Sequence, residues 1–243
     1  MKKIKVLSTK KLRSTMVSEV KELCIEITEQ NFILIEPINT NEKKEEIINL
    51  LASPVLRNVL FTSSNAVNAI KKYLPPTGST PLLDWNIFSI SGKTTDALLT
   101  YFNPERIIGA AKDSTQLSEL ILKKEVKEVL YFCGDKRRDE LPSRLINNGV
   151  IVKEVVVYQT TATPFKCEEN FDGILFFSPS AVDSFFSENR LHVTTVYFAI
   201  GNTTGQALKN LCRNKVIVSE SASEKMMFKT VDNFFRDYAH TLD

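Results

Sequence analysis

The chain has 243 residues, with 31 Lys and Arg against 29 Asp and Glu, a formal net charge of +2 and 43% hydrophobic residues. Those proportions are those of a folded globular protein and exclude a disordered chain or a general nucleic-acid binder with a basic stripe. At this length it is one large domain or two small ones.

The opening residues carry lysines but no apolar core of roughly 7–15 residues, so no signal peptide is expected. No stretch approaches the ~20 apolar residues of a membrane span, and the expectation is a cytoplasmic protein without a membrane role. Cys24, Cys133, Cys167 and Cys212 are scattered with no CxxC pair, and read as reduced, mostly buried small hydrophobes. His192 and His240 are the two histidines. A zinc centre or a Ser-His-Asp triad is poorly supplied, so no metal or other cofactor is expected. The chemistry is left to hydroxyls, carboxylates, basic groups and backbone.

In chain order, a strand at Ile4–Leu7 precedes an amphipathic segment at Met16–Glu29 and a strand at Phe32–Glu36. Helix Glu42–Leu51 then leads to strand Val59–Thr62, helix Ala66–Tyr73, strand Ile87–Ile90, helix Thr95–Phe102 and strand Arg106–Ile108. Helix Thr115–Leu122, strand Val129–Phe132, helix Pro142–Asn147 and strand Val152–Tyr158 follow. The last third reads as strand Gly173–Phe177, helix Ala181–Phe186, strand Val196–Ile200, helix Thr204–Leu211, strand Val216–Val218 and helix Lys225–Tyr238. Strands alternating with helices predict parallel sheets covered on both faces. The strands are near-continuous apolar runs, as doubly covered strands require.

An internal repeat underlies this pattern. Val59-Leu60-Phe61-Thr62-Ser63-Ser64-Asn65-Ala66-Val67 has a counterpart in Ile174-Leu175-Phe176-Phe177-Ser178-Pro179-Ser180-Ala181-Val182. Ile87 to Thr95 matches Val196 to Thr204, each followed by an Ala-Leu pair, and Arg106 to Ser114 matches Lys215 to Ser223. The predicted fold is therefore α/β, with two similar doubly wound parallel-sheet domains joined by a two-stranded hinge and a cleft between them. The opening strand–helix–strand has no copy ahead of the first repeat, so it is assigned to the second. Residues 1–36 and 164–243 form one discontinuous domain, 39–158 an inserted domain, and 37–41 and 159–163 the linkers. Two adjacent connections make a hinge.

Ligands of open parallel sheets bind at the C-terminal ends of strands, where helix N-termini favour anions. Ser8-Thr9-Lys10, Ser63-Ser64-Asn65, Ser91-Gly92-Lys93-Thr94-Thr95, Ser178-Pro179-Ser180 and Gly201-Asn202-Thr203-Thr204 all fall there. Ser and Thr at such places also serve as N-caps, but five such loops together point to an anionic ligand with several carboxylates or phosphates. No GxxxxGK[ST] and no GxGxxG after a strand supports a nucleotide. In Gly134 to Asp139, Lys136, Arg137 and Arg138 form either a solvated loop or charge-assisted contacts to carboxylates. Tyr158 ends the run Val155-Val156-Val157. It is either a packing residue or, in a chain poor in histidine, the best-sited weak acid.

Taken together, the segments Phe61–Val67, Gly134–Pro142 continuing to Asn148-Gly149-Val150, Val157–Thr160, Phe176–Val182 and Ala199–Thr204 resemble the uroporphyrinogen-III synthase family. The resemblance implies two α/β domains joined by a two-stranded connection, and a cofactor-free cyclase acting on hydroxymethylbilane, an open chain of four pyrroles bearing eight carboxylates. It implies loss of the terminal hydroxyl as water, attack by the substituted carbon of the last ring, a spiro intermediate, and closure with that ring inverted. Tyr158 matches the tyrosine assigned to hydroxyl departure. Thr203, Ser178, Ser180, Ser63 and Ser64 match positions that line the substrate site. Thr9, Lys10, Ser91, Lys93, Thr94, Gly134, Arg137 and Thr204 complete the candidate substrate contacts. Lys10 stands where the family often has arginine, and Lys93 lies in a loop that is often uncharged. A monomer is the default, with possible transient handover from the upstream deaminase. The rival readings are a non-catalytic two-domain binding protein for a small polyanion, a phosphate-using transferase, and a regulatory fragment of a larger tetrapyrrole enzyme.

Overall fold

The computed structural model describes residues 3–12, 25–52, 57–74, 85–190 and 193–240, the last three by backbone alone. The strands are β1 (Ile4–Ser8), β2 (Ile25–Glu29), β3 (Ile33–Pro37), β4 (Arg57–Phe61), β5 (Trp85–Ile90), β6 (Ile107–Ala111), β7 (Glu128–Gly134), β8 (Ile151–Ala162), β9 (Gly173–Phe176), β10 (Val196–Ala199) and β11 (Val216–Val218). The helices are α1 (Asn41–Ala52), α2 (Ser64–Ile70), α3 (Lys93–Leu99), α4 (Ser114–Lys123), α5 (Glu140–Asn147), α6 (Pro179–Glu188), α7 (Asn202–Leu211) and α8 (Glu224–His240).

The chain divides into two compact units, residues 1–34 with 161–243 and residues 35–160, and passes between them once within β3 and once within β8. The segments 37–41 and 159–163 overlap the ends of these strands and the start of α1.

The first unit holds a five-stranded sheet in the order β11-β10-β9-β1-β2, with every neighbouring pair parallel. On one face Leu7, Ile174, Phe176 and Tyr197 pack with Phe185 of α6 and Leu208 of α7. On the other Val6, Leu175 and Phe198 pack with Met227, Val231 and Phe235 of α8. The second unit's sheet runs β3-β8-β7-β4-β5-β6, with β8 to β6 all parallel. Phe61, Ile87, Leu130 and Phe132 face α1, α2 and α3, whereas Leu60, Phe88, Tyr131 and Cys133 face Leu117 of α4 and Leu145 of α5. Alternate residues of each strand thus feed two separate cores, the reason these strands are apolar on both sides.

The three repeated blocks fall on β4-β5-β6 and on β9-β10-β11, neighbours in the same order in each sheet. Each set is extended beside its first strand, by β7, β8 and then β3 in one sheet and by β1 and β2 in the other. The pair β7 and β8 follows the repeat in one unit, and the pair β1 and β2 precedes it in the other. By sheet position β1 is therefore the counterpart of β7.

The helix expected over Met16–Glu29 does not extend to its end. Residues 13–24 lie outside the described residues, and Ile25–Glu29 is strand β2, pairing in parallel register with β1 from Ile4↔Ile25 to Ser8↔Glu29. Ile25 and Ile27 pack on the α8-side core and Glu26 and Thr28 are exposed. This period of two was hidden in a segment whose whole length suited an amphipathic helix.

Candidate functional site

In the second unit β8, β7, β4 and β5 lie in that order across the sheet; Tyr158 lies within β8, Gly134 ends β7, and Ser63 and Ser91 follow the ends of β4 and β5. Tyr158 is placed there by an irregularity. Along β7 and β8 the partners run in step to Cys133↔Val156, and the next pair is Gly134↔Tyr158, leaving Val157 as the extra residue of a bulge. Strict alternation would send Tyr158 to the face of Val156, which packs beside Cys133. Instead both Val157 and Tyr158 pack on the face of Phe132 and α2.

Tyr158 reaches that face by lying on Gly134. A Cβ built at Gly134 would stand 2.3 Å from Cζ and 2.7 Å from the hydroxyl oxygen of Tyr158, a separation no real side chain tolerates. Glycine at 134 thus permits the close approach of the ring, which any side chain there would displace. The loop after β7 locks the same strand end: Asp135 N donates to Tyr158 O (3.1 Å), and Thr160 N donates to Asp135 Oδ1 (2.8 Å).

The phenol of Tyr158 is half-buried and lies close to the side chains of Ser63 and Asn65. Burial pushes its pKa above the ordinary tyrosine value, the contacts with Ser63 and Asn65 work against that rise, and Cys133 and Asp135 add to it. The group stays protonated at neutral pH. Ser63 is also the N-cap of α2, its Oγ accepting from Asn65 N at 3.1 Å. The residue before it, Thr62, meets the hydroxyl of buried Tyr131 at 2.7 Å between oxygens. Burial pushes the Tyr131 phenol up to about 12.

Of the expected contacts, Tyr158, Gly134 and Ser63 therefore come together, with Ser64 the first residue of α2. Asn65, Thr62 and Tyr131 join them without having been singled out. Asn65 stood inside a quoted loop, so its signal was available. Tyr131 lay within an apolar strand, and nothing local marked its hydroxyl. Ser91 is exposed beyond β5, its N donating to Ala111 O at 2.8 Å, and Lys93 begins α3 after Gly92, whose φ of 83° favours glycine.

Several expected contacts have structural duties instead. Thr9 is 1% exposed; its N and Oγ1 both donate to Leu175 O, at 3.1 and 2.8 Å, tying the end of β1 to β9. Thr94 and Thr204 are 5% and 3% exposed, each one turn before a fully buried leucine, Leu98 and Leu208. Both lie on the buried side of their helices. The guanidinium of Arg137 is held by Glu154 (Nε to Oε2, 2.7 Å; Nη2 to Oε2, 2.6 Å) and by Asp139. It braces the loop after β7 against β8, and a substrate carboxylate would have to displace one of those partners.

In the first unit Lys10 pairs with Glu224 at the start of α8, and its ammonium sits 4.5 Å from the centroid of the Phe177 ring. Ser178 caps α6, its Oγ accepting from Ala181 N at 3.2 Å, with half-buried Ser180 in the first turn. Thr203 is exposed in the first turn of α7. These three hydroxyls follow the C-terminal ends of β9 and β10, in the repeat positions that Ser63, Asn65 and Thr94 hold in the second unit. Among the described residues no cluster of three or more His, Cys, Asp and Glu could hold a metal, and no helix is long and apolar enough to cross a membrane.

The fold is shared with solved structures at low identity. A mutant uroporphyrinogen III synthase from Thermus thermophilus superposes with a TM-score of 0.65 at 15% identity, over 98% of this chain and 99% of that one. The uroporphyrinogen-III synthetase of Helicobacter pylori gives 0.63 at 17% identity, over 95% and 99%. The family model described as uroporphyrinogen-III synthase HemD matches residues 14–229. That match spans the Tyr158 site and every repeated block, and the chain belongs to the uroporphyrinogen-III synthase family.

Proposed function

We propose that this chain converts hydroxymethylbilane to uroporphyrinogen III, a cyclising dehydration, with Tyr158 as the proton donor. The carrying observation is the Tyr158 phenol: half-buried, protonated at neutral pH, pressed on Gly134 and close to Ser63 and Asn65. Protonation of the terminal hydroxyl by Tyr158 breaks the C–O bond and releases water, leaving an azafulvenium cation. The substituted carbon of the last pyrrole attacks that cation to form the spiro intermediate. Fragmentation regenerates a cation, the free α-carbon of the inverted ring closes on the other end, and the proton it loses restores the phenol. One water leaves, and no electron is gained or lost.

The remaining work is positioning. Bilane closure without inversion needs no catalyst, so the protein's contribution is to hold the chain in the folded geometry that favours spiro attack. Ser63, Ser64 and Ser91 in one unit, and Ser178, Ser180 and Thr203 in the other, are the hydroxyls offered to carboxylates. Lys93 adds a cation at the rim of its loop. The chain is expected to act in the cytoplasm as a monomer, receiving bilane from the upstream deaminase.

The test supplies bilane freshly made by that deaminase, then oxidises the product and resolves the porphyrin isomers. Isomer III in excess is expected. Isomer I alone would exclude the reaction and favour a non-catalytic polyanion binder.

A further inference from the structure

We propose that Tyr131 is a positioning residue for this reaction: by holding Thr62 it fixes the entry to α2, where Ser63 and Asn65 orient the Tyr158 phenol. The inference rests on the reading of Tyr158 as proton donor and extends the site through the sheet to its other face.

Tyr131 and Tyr158 belong to opposite faces of one sheet. Tyr131 packs with Leu60, Cys133 and Leu145, whereas Tyr158 packs with Phe132 and the α2 side. Both hydroxyls approach the segment that follows β4. β4 lies directly beside β7, with Leu60 opposite Tyr131, so the phenol of Tyr131 projects along the strand to Thr62 Oγ1 at 2.7 Å. The next residue, Ser63, turns to the other face and meets Tyr158. One segment is thus fastened from below by one tyrosine and presents its polar groups to another.

Core packing alone does not account for the hydroxyl. The ring of Tyr131 is 2% exposed among leucines and valines, where phenylalanine would fill the same volume and bury no polar atom. The cap of α2 does not need it either, since Ser63 Oγ already accepts from Asn65 N. What the hydroxyl adds is a fixed point at Thr62, one residue before the groups that contact the proton donor. Preorganised sites are built this way, with each contacting group held by a further hydrogen bond from a rigid element.

The experiment measures kcat and KM for Tyr131→Phe, Thr62→Val, the double variant, Thr62→Ser and Tyr158→Phe, with the Cζ resonance of 13C-labelled Tyr158 followed by NMR. Loss of one positioning hydrogen bond is expected to lower kcat about three- to ten-fold in Tyr131→Phe with KM unchanged. Thr62→Val should match it and the double variant should be no worse than either. Thr62→Ser should retain activity, and the Tyr158 resonance should move in both single variants that lose the bond. Wild-type kcat in Tyr131→Phe and Thr62→Val alongside an impaired Tyr158→Phe would overturn this proposal and leave the proton-donor reading standing. Multiplying losses in the double variant would also overturn it. An unimpaired Tyr158→Phe would overturn the proton-donor reading and this proposal with it. If Tyr131→Phe fails to fold, Thr62→Val reads the same bond from its half-buried end.

Discussion

The ring of Tyr158 lies against Gly134 so closely that the smallest side chain at 134 would overlap it, 2.3 Å from Cζ. The two residues are register partners across a bulge, and the bulge turns Tyr158 to the α2 face. Gly134→Ala must therefore displace the phenol from Ser63 and Asn65 or shift β8. The expected result is a drop in kcat of at least ten-fold, since a displacement near 1 Å at a reacting group costs on the order of a hundred-fold. Overpacking should also cost about 1–3 kcal/mol of stability. Steady-state kinetics beside a urea transition checks both; full activity in this variant would mean the phenol's place does not matter.

Ser63 has two duties, capping α2 and contacting Tyr158. Ser63→Ala should cost about 1 kcal/mol of stability through the lost cap, and turnover should fall as well. Ser63→Thr keeps the cap and should recover the stability. Calorimetry and kinetics on the pair separate the two duties.

Thr9 was expected to touch substrate, and its position argues otherwise. Its hydroxyl donates to Leu175 O inside the protein, where Thr9 N already donates to the same oxygen. Thr9→Val should lower stability by roughly 0.5–1.5 kcal/mol, the net value of one hydrogen bond, and leave KM for the bilane unchanged. A raised KM at unchanged stability would return Thr9 to the substrate site.

Stability should fall in alkali. The Tyr131 phenol is raised to about 12 by burial, with the Thr62 hydrogen bond opposing, whereas an unfolded tyrosine titrates near 10. Below about pH 10 both states keep the proton and the contribution is whole; from about 10 to 12 the unfolded chain sheds a proton the native state retains, and stability drops by about 2–3 kcal/mol in all. Tyr131→Phe should flatten that part of the urea-midpoint profile. The flattening is partial, because burial also raises Tyr197, and Cys133 to about 11.

Much of the fold was legible because strand and helix patterns repeat. The blocks at Val59, Ile87 and Arg106 and their partners at Ile174, Val196 and Lys215 fall on matching strands of the two sheets. Strand β2 was not legible, since Ile25 and Ile27 show their period of two only after the preceding residues are removed from the pattern. At the site, Gly134 and Ser63 could be found as residues at strand ends, and Tyr158 was found at an expected strand end although β8 continues to Ala162. Their juxtaposition could not, because it depends on a one-residue bulge that no local sequence signal announces. The burial of Thr94 and Thr204 was not legible either: threonines at a helix start look exposed, and only the structure places them on the same side as Leu98 and Leu208.

The central claim is that the Tyr158 phenol drives departure of the bilane hydroxyl. The most direct test is single-turnover isomer analysis of Tyr158→Phe, which keeps the ring on Gly134 and removes one oxygen. The account predicts a rate lowered about a hundred-fold or more, within the range for loss of a general acid, with isomer I rising as spontaneous closure overtakes the enzyme. Isomer III formed at the wild-type rate would contradict it.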